Sequence, residues 1–405
     1  MKVRDPLAVY LAMEGGTSLL FAVIFIASSV YQVTTVGLTP LQLVIVGTTL
    51  ELSVFLFEVP TGIVADVYSR KLSIIIGYVL MGTGFLIEGS IPLFWTIILA
   101  QILWGLGYTF TSGAKQAWIT DEIGETAAGQ AFLRSSQIGQ LASLTGLALG
   151  MIVGSLRVSL PIQIGGICLI LLAISLVYFM PETGFSPKPR GELSTWQTMA
   201  RTFRDGLQVI RHRPALSTIL VIGFFYGLYS EGFDRLWVKH LLDDYTQPSF
   251  IQLEPIVWIG LVNAGGMLLS IAGTQFVRRR LDTSRQSTLT LTLFALTTLL
   301  FASLLIFSQV NWLLLAILAY WLIYISRSLI GPLYTAWVNQ RLDSQVRATV
   351  LSMTGQVDAI GQIAGGPVIG LIGNQLGVQA ALTTSSLFLS PALALYARLS
   401  KCDRE

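Results

Sequence analysis

Cysteine, histidine and charge are the scarce ingredients of this chain. Two cysteines occur, Cys168 inside an apolar run and Cys402 in the polar tail, so their depths argue against a disulfide and neither points to redox chemistry. The two histidines, His212 and His240, belong to no HExxH pair, and neither a Walker-type loop nor a GxSxG elbow is present. No catalytic, cofactor or metal site is therefore expected, and the chain is not read as an enzyme. Charged residues make up only 12% of 405, too few to give so long a chain an ordinary soluble surface. The net charge of +3 is small and sits in short loops, which argues for contact with lipid headgroups rather than nucleic acid.

Long hydrophobic runs fill the space that charge leaves. A helix needs about 20 mostly apolar residues to cross roughly 30 Å of hydrocarbon. The sequence predicts twelve such spans, at 7–31, 41–64, 71–91, 93–118, 130–155, 159–180, 215–241, 256–277, 286–308, 312–338, 347–373 and 378–399. Runs such as "LPIQIGGICLILLAISLVYF" are apolar on every face, unlike the alternating strands of a barrel. With the N-terminus inside, most of the 25 Lys and Arg fall on one side or at its edge. The expectation is a multi-pass protein of a bacterial inner or plasma membrane, with both termini cytoplasmic. Eleven further spans follow the first apolar run, which lacks a small-residue cleavage site, so it is not read as a cleavable signal peptide.

The longest inner connection divides the chain into 1–181, a linker at 182–213 and 214–405. Within the linker Trp196, Met199, Phe203, Leu207 and Ile210 recur at near-helical spacing with arginines between them, the pattern of a basic amphipathic helix; a disordered tether is the alternative. The halves also repeat one another. "AWITDEIGETAAGQAFLRSSQIGQLASLTG", from Ala117, aligns without gaps on "AWVNQRLDSQVRATVLSMTGQVDAIGQIAG", from Ala336, pairing Trp118 with Trp337 and Gly146 with Gly365. Internal repeats of this kind mark secondary transporters. Gly146, Gly150 and Gly154, and Gly361 with Gly365, have the spacing that lets helix backbones approach closely.

The stretch "EVPTGIVADVYSRK" places charge between spans two and three. Gly62, Asp66, Arg70 and Lys71 there resemble the signature loop of the major facilitator superfamily, with Ser69 where a glycine is usual; the second-half copy is degraded to "LDTSRQ". The resemblance extends to the twelve spans and the six-plus-six split. It implies an all-α membrane protein of two pseudo-symmetric six-helix bundles, and a cytoplasmic latch. In that latch Asp66 meets the start of span eleven near Arg347 and Ala348, while Arg70 reaches Asp121 or Glu122. Topology alone would account for Arg70 and Lys71 but not for Asp66.

Transport driven by an ion gradient needs ionisable groups at depth. Candidates for proton coupling or for the substrate cavity are Glu14, Glu51, Glu231, Asp234, Arg235, Arg327 and Asp358, with the arginines as counter-charges. Glu58 and Lys115, nearer the inner face, are read as snorkelling or joining the latch, and Glu88 as solvated near the outer end of span three. Tyr226, Tyr229, Trp237, Trp258, Trp321 and Trp337 are candidates for stacking on a substrate or for interfacial anchoring. In overall look the chain resembles bacterial multidrug and tetracycline-resistance efflux proteins, which implies exchange of a small amphipathic solute for protons by a monomer. Gln101 stands where such antiporters carry an arginine, and "GLALGMIVG" lacks their span-five proline. Proton-coupled uptake of a metabolite, and a non-transporting receptor or scaffold, are the alternatives.

Overall fold

The structure, a computed structural model, describes residues 5–187, 214–247, 252–281, 285–340 and 344–402. Among these residues the chain is almost wholly helical. The first six spans are built from α1 (Pro6–Thr34), α2 (Pro40–Ile63), α3 (Arg70–Ser90), α4 (Phe94–Thr111) with α5 (Ala114–Ile123), α6 (Glu125–Leu156) and α7 (Ser159–Phe179). The second six are α8 (Pro214–Asp243), α9 (Pro255–Arg280), α10 (Gln286–Gln309), α11 (Leu313–Gln340), α12 (Ser344–Leu376) and the pair α13 (Val378–Phe388) and α14 (Ser390–Cys402). The twelve expected spans are all present. Some run further than hydropathy indicated, because polar turns such as Glu125–Gly129 continue the helix of span five. The amphipathic helix expected in the linker falls almost wholly outside the described residues.

Local chemistry sets the breaks. Asp5 caps α1 by accepting from the Leu7 amide at 3.0 Å, with Pro6 at the first helical position, where its missing N–H costs nothing. Gly113, at φ 70°, splits span four into α4 and α5, a left-handed conformation that a side chain resists. Helix α2 does not end cleanly but widens into a π turn over Val64–Tyr68, the segment that holds Asp66.

Ten of the spans are long and apolar enough to cross a membrane by length and composition; α8 and α12, which carry Glu231, Asp234 and Asp358, are not among them. On some helices large apolar side chains face outward. Helix α6 turns Leu133, Leu141, Ile152 and Leu156 outward while burying Gly146, Gly150 and Gly154, as expected where lipid is the solvent and small residues make the helix contacts.

The chain clusters into two compact units. Unit 1 comprises Met1–Leu38, Thr49–Met199 and Leu253–Gly260, and unit 2 comprises Thr39–Thr48, Ala200–Gln252 and Leu261–Glu405. Each unit uses the same packing plan. In unit 1, α1 packs on α6 and α7, and α3 on α4 and α7; in unit 2, α8 packs on α12 and α13, and α10 on α11, α13 and α14. The glycines read from the repeat make equivalent contacts. A Cβ on Gly146 would strike the Leu19 carbonyl of α1, and one on Gly365 the Leu228 carbonyl of α8. Trp118 and Trp337 are both fully buried, donating to the Pro181 carbonyl at 2.7 Å and to Thr290 Oγ1 at 2.9 Å. The second of these residues is therefore a core residue, not a stacking surface for a solute.

Candidate functional site

Helix periodicity sorts the cluster "YSEGFDRLW" on α8 into two faces. Tyr226, Ser230 and Asp234, four residues apart, line a cavity of about 400 Å³ in unit 2. Arg327, Gly331 and Tyr334 line it from α11, and Thr354, Asp358 and Gln362 from α12. Each helix thus contributes residues one turn apart. Glu231 and Arg235 lie off this stripe, paired with each other at 3.1 Å. Glu231 is buried at 1% exposure, and a Cβ on Gly47 would run into both side chains, so the bare backbone there is what admits the pair.

The charges in the cavity are unequally partnered. Arg327 holds Asp234 with both guanidinium prongs, Nη1 to Oδ1 and Nη2 to Oδ2, the second at 2.8 Å, and its cation lies 6.0 Å from the Tyr229 ring centre and 5.6 Å from that of Phe233. Asp358 accepts a hydrogen bond from Gln362 Nε2 at 2.9 Å, a neutral partner one turn further along α12. Among the described residues, two acids and one arginine therefore share this cavity. Its walls are tyrosines, with Tyr226 tied to Thr297 Oγ1 at 2.5 Å and Tyr334 donating to the Ile219 carbonyl at 2.8 Å.

A second cavity, about 420 Å³, adjoins the same ion pair; Phe233, Trp237, Asn263, Tyr320, Tyr324, Asp234 and Arg327 are among its lining residues. The sequence reading singled out Trp237 but neither Asn263 nor the α11 tyrosines. Trp321 instead donates to the Val262 carbonyl at 2.9 Å and ties α11 to α9.

Unit 1 holds its own polar contacts. Glu14 pairs with Lys115 at 2.8 Å, so Lys115 neither snorkels nor joins the latch. One turn along α1, Thr17 Oγ1 meets Tyr78 Oη at 2.8 Å. Glu88, expected in solvent, is fully buried: Ser28 Oγ donates to it at 2.5 Å and Gln32 Nε2 at 2.9 Å. The reason is local. Ser28 and Gln32, four apart, put two donors on the face of α1 that meets α3, and both serve Glu88 Oε1, standing in for water at that oxygen. That polar pair in an apolar helix was the available signal. Glu51 is half-buried on α2 and borders neither cavity.

In the loop after α2, Arg70 bridges Asp121 at 2.5 Å and Asp66 at 3.2 Å. Glu122 turns away to the chain leaving α7, accepting from the Thr183 and Gly184 amides at 2.6 and 2.8 Å. Lys71 Nζ donates to the Val177 and Met180 carbonyls at the end of α7, both at 2.8 Å. Glu182 accepts from Ser69 Oγ at 2.7 Å and from the Lys71 amide at 2.9 Å, placing an acid at the start of α3. Gly62 has open space around it. The expected seat of Asp66 near Arg347 and Ala348 involves side chains outside the described set.

Residues 10–366 match the profile of the Major Facilitator Superfamily. The chain belongs to this superfamily. The superfamily is a family of transporters, not an enzyme class, and membership makes the chain a secondary transporter of a small solute. Among relatives of this major facilitator protein is the uncharacterized MFS-type transporter YxaM of Bacillus subtilis (strain 168), 24% identical over 367 residues, which are 89% of this chain and 88% of that one. Its fold is similar to that of the nucleoside transporter NupG (TM-score 0.73, 14% identity, covering 99% of both chains). A bacterial homolog of the human lysosomal transporter Spinster, inward-facing and unoccupied, gives TM-score 0.75 at 13% identity, over 98% of this chain and 96% of that one. The peptide transporter POT in complex with sulfate gives 0.74 at 15%, over 99% and 95%. At such identities the likeness concerns the fold alone.

Proposed function

We propose that this major facilitator protein exports a small amphipathic organic solute in exchange for protons, by alternating access, as a monomer in a bacterial inner or plasma membrane with both termini cytoplasmic. The observation that carries the reading is the unequal partnering of two acids in one tyrosine-lined cavity: Asp234 is held by Arg327, while Asp358 has a neutral partner, Gln362. With Asp358 protonated, the charges of the cavity cancel. With it ionised, one negative charge remains for a solute that carries positive charge or presents it to the faces of Tyr226, Tyr229 and Tyr334. Proton and solute then compete for one seat, which is the elementary requirement of exchange. Glu231 with Arg235 and Glu14 with Lys115 are assigned to positioning their helices, and Gly62, Asp66, Arg70, Lys71, Asp121 and Glu122 to the cytoplasmic latch.

Liposomes containing the purified protein, acid inside and loaded with a pH-reporting dye, test the reading. Addition of an amphipathic amine is expected to collapse the gradient faster than in protein-free liposomes, and Asp358→Asn to abolish the difference. Equal collapse with and without protein, across a panel of amphipathic solutes, refutes proton-coupled export.

Proton-coupled uptake is the second reading, favoured by one residue: Gln101, where drug antiporters of the superfamily carry an arginine, is buried at 2% exposure in α4. Uptake predicts solute accumulation in intact cells that an uncoupler removes.

A further inference from the structure

The two cavities of unit 2 lie end to end along one helix pair. Helices α8 and α11 run antiparallel, since Tyr226 faces Tyr334 with ring centres 6.3 Å apart, Asp234 meets Arg327, and Trp237 stacks on Tyr320 at 4.7 Å. The first cavity takes Gly223 to Asp234 of α8 and Arg327 to Thr335 of α11; the second takes Phe233 to Trp237 and Tyr320 to Ser328. Asp234 and Arg327 border both, so the ion pair is the partition between them.

We propose that the second cavity is a separate solute-binding station, selective for an uncharged planar aromatic molecule with hydrogen-bonding groups on its edge. Three observations carry it. First, Phe233, Trp237, Tyr320 and Tyr324 are four of its nine lining residues, and Phe233 and Trp237 each stack against Tyr320, at interplanar angles of 27° and 30°. Such walls accept a flat ring in offset or edge contact. Second, among the described residues its only charged side chains are Asp234 and Arg327, which cancel, and Asp358 is not part of its lining. An ionic guest finds no free counter-charge there and gives up its hydration without return. Third, the lining carries polar groups that a ring's edge can use: the Asn263 amide, the Ser328 hydroxyl, which donates to the Ile325 carbonyl at 2.8 Å and is left as an acceptor, and the guanidinium donors of Arg327 that Asp234 does not engage. The site depends on the transporter reading for its use as a waypoint but not for binding itself.

The test uses three probes that share an indole ring: neutral indole-3-acetamide, anionic indole-3-acetate and cationic tryptamine. Binding to the purified full-length protein is measured by equilibrium dialysis at pH 7 against empty micelles. The acetamide is expected to bind about tenfold or more tightly than the acetate, and than tryptamine once Asp358→Asn has removed the first cavity's seat for a cation, and Trp237→Leu to weaken it about tenfold. Removing one member of the partition is expected to reverse the charge preference. Asp234→Asn should favour the acetate and Arg327→Gln the amine, and either variant suffices if the other does not fold. Several results overturn the assignment: equal binding of all three probes, no binding of any at millimolar concentration, or binding lost in Asp358→Asn but kept in Trp237→Leu, which places the guest in the first cavity. Acetamide binding without proton-linked flux in liposomes leaves this site standing and removes the export reading instead.

Discussion

Asp234 and Arg327 hold each other by both prongs, and they are the only two residues that line both cavities of unit 2. Neither is fully buried, with side chains 41% and 32% exposed, so water in the cavities relieves part of the cost of separating them. Asp234→Asn is expected to lower stability by about 1–3 kcal/mol, the usual worth of hydrogen bonds to a charged group. Asp234→Asn with Arg327→Gln should cost less than the sum of the single changes. Thermal unfolding of the four members of the cycle measures the coupling, and strict additivity would mean that the pair is idle.

Asp358 is the residue proposed to set the pH dependence. If it carries the proton, flux in liposomes without a membrane potential should change with pH in the unsubstituted protein. In Asp358→Asn, which removes the seat that proton and solute share, flux should be low and flat across the same range, and exchange of a cationic solute at equal pH should fall with it. A pH profile that survives in Asp358→Asn moves the proton to another acid.

Glu88 presents a different problem, that of a fully buried carboxyl supported by neutral donors. Glu88→Gln keeps an acceptor oxygen for Ser28 and Gln32 and is expected to be neutral or mildly stabilising. Glu88→Leu takes the acceptor from the Ser28 hydroxyl and leaves Gln32 only its 3.1 Å bond to Ser28 Oγ, and should cost about 1–3 kcal/mol. Thermal unfolding separates the two; equal losses would show that the charge itself matters.

Gly146 and Gly365 are the sharpest test of the internal repeat. Gly146→Ala and Gly365→Ala each push a methyl group into a backbone carbonyl of the facing helix and should destabilise by about 1–3 kcal/mol. Gly16→Ala, with open space around it, is the control and should change little. Measured melting points that fall alike for the first two and stay put for the third are the expected pattern.

Glu182 and Lys71 fasten α3 to α7 from opposite ends. Glu182→Ala removes the acid from the start of α3 and Lys71→Met removes the cation from the last carbonyls of α7, with expected losses of about 0.5–2 and 0.3–1 kcal/mol. A loss confined to one variant would separate the two fastenings.

The fold was legible because each lipid-crossing helix must be apolar for its whole length, a signal that survives any reshuffling of individual residues. The glycine repeat was legible for a related reason: close approach leaves only the smallest residue possible, so spacing alone reports it. Partners were harder. Periodicity on α8 separates Asp234 from Glu231, but nothing in "YSEGFDRLW" says that Asp234 finds its arginine on α11 while Glu231 keeps the one a turn away. Glu88 misled for the same reason, since its nearness to a span end suggested water while its donors lay on α1, 60 residues away for Ser28. The aromatic cavity was invisible because its walls come from three helices, and Tyr320, Tyr324 and Asn263 each look like ordinary residues of a membrane span.

The π turn at Val64–Tyr68 gives the second span a degree of freedom that a uniform helix lacks. A π turn accommodates one more residue than an α turn, so tightening it would wind the following chain by about one residue, or roughly 100°, about the helix axis. Asp66 and Arg70 sit in and just beyond that slack. The hold of Arg70 on Asp121 can thus be re-aimed by twisting rather than by melting, a cheap motion for a part proposed to let go and take hold again in every cycle.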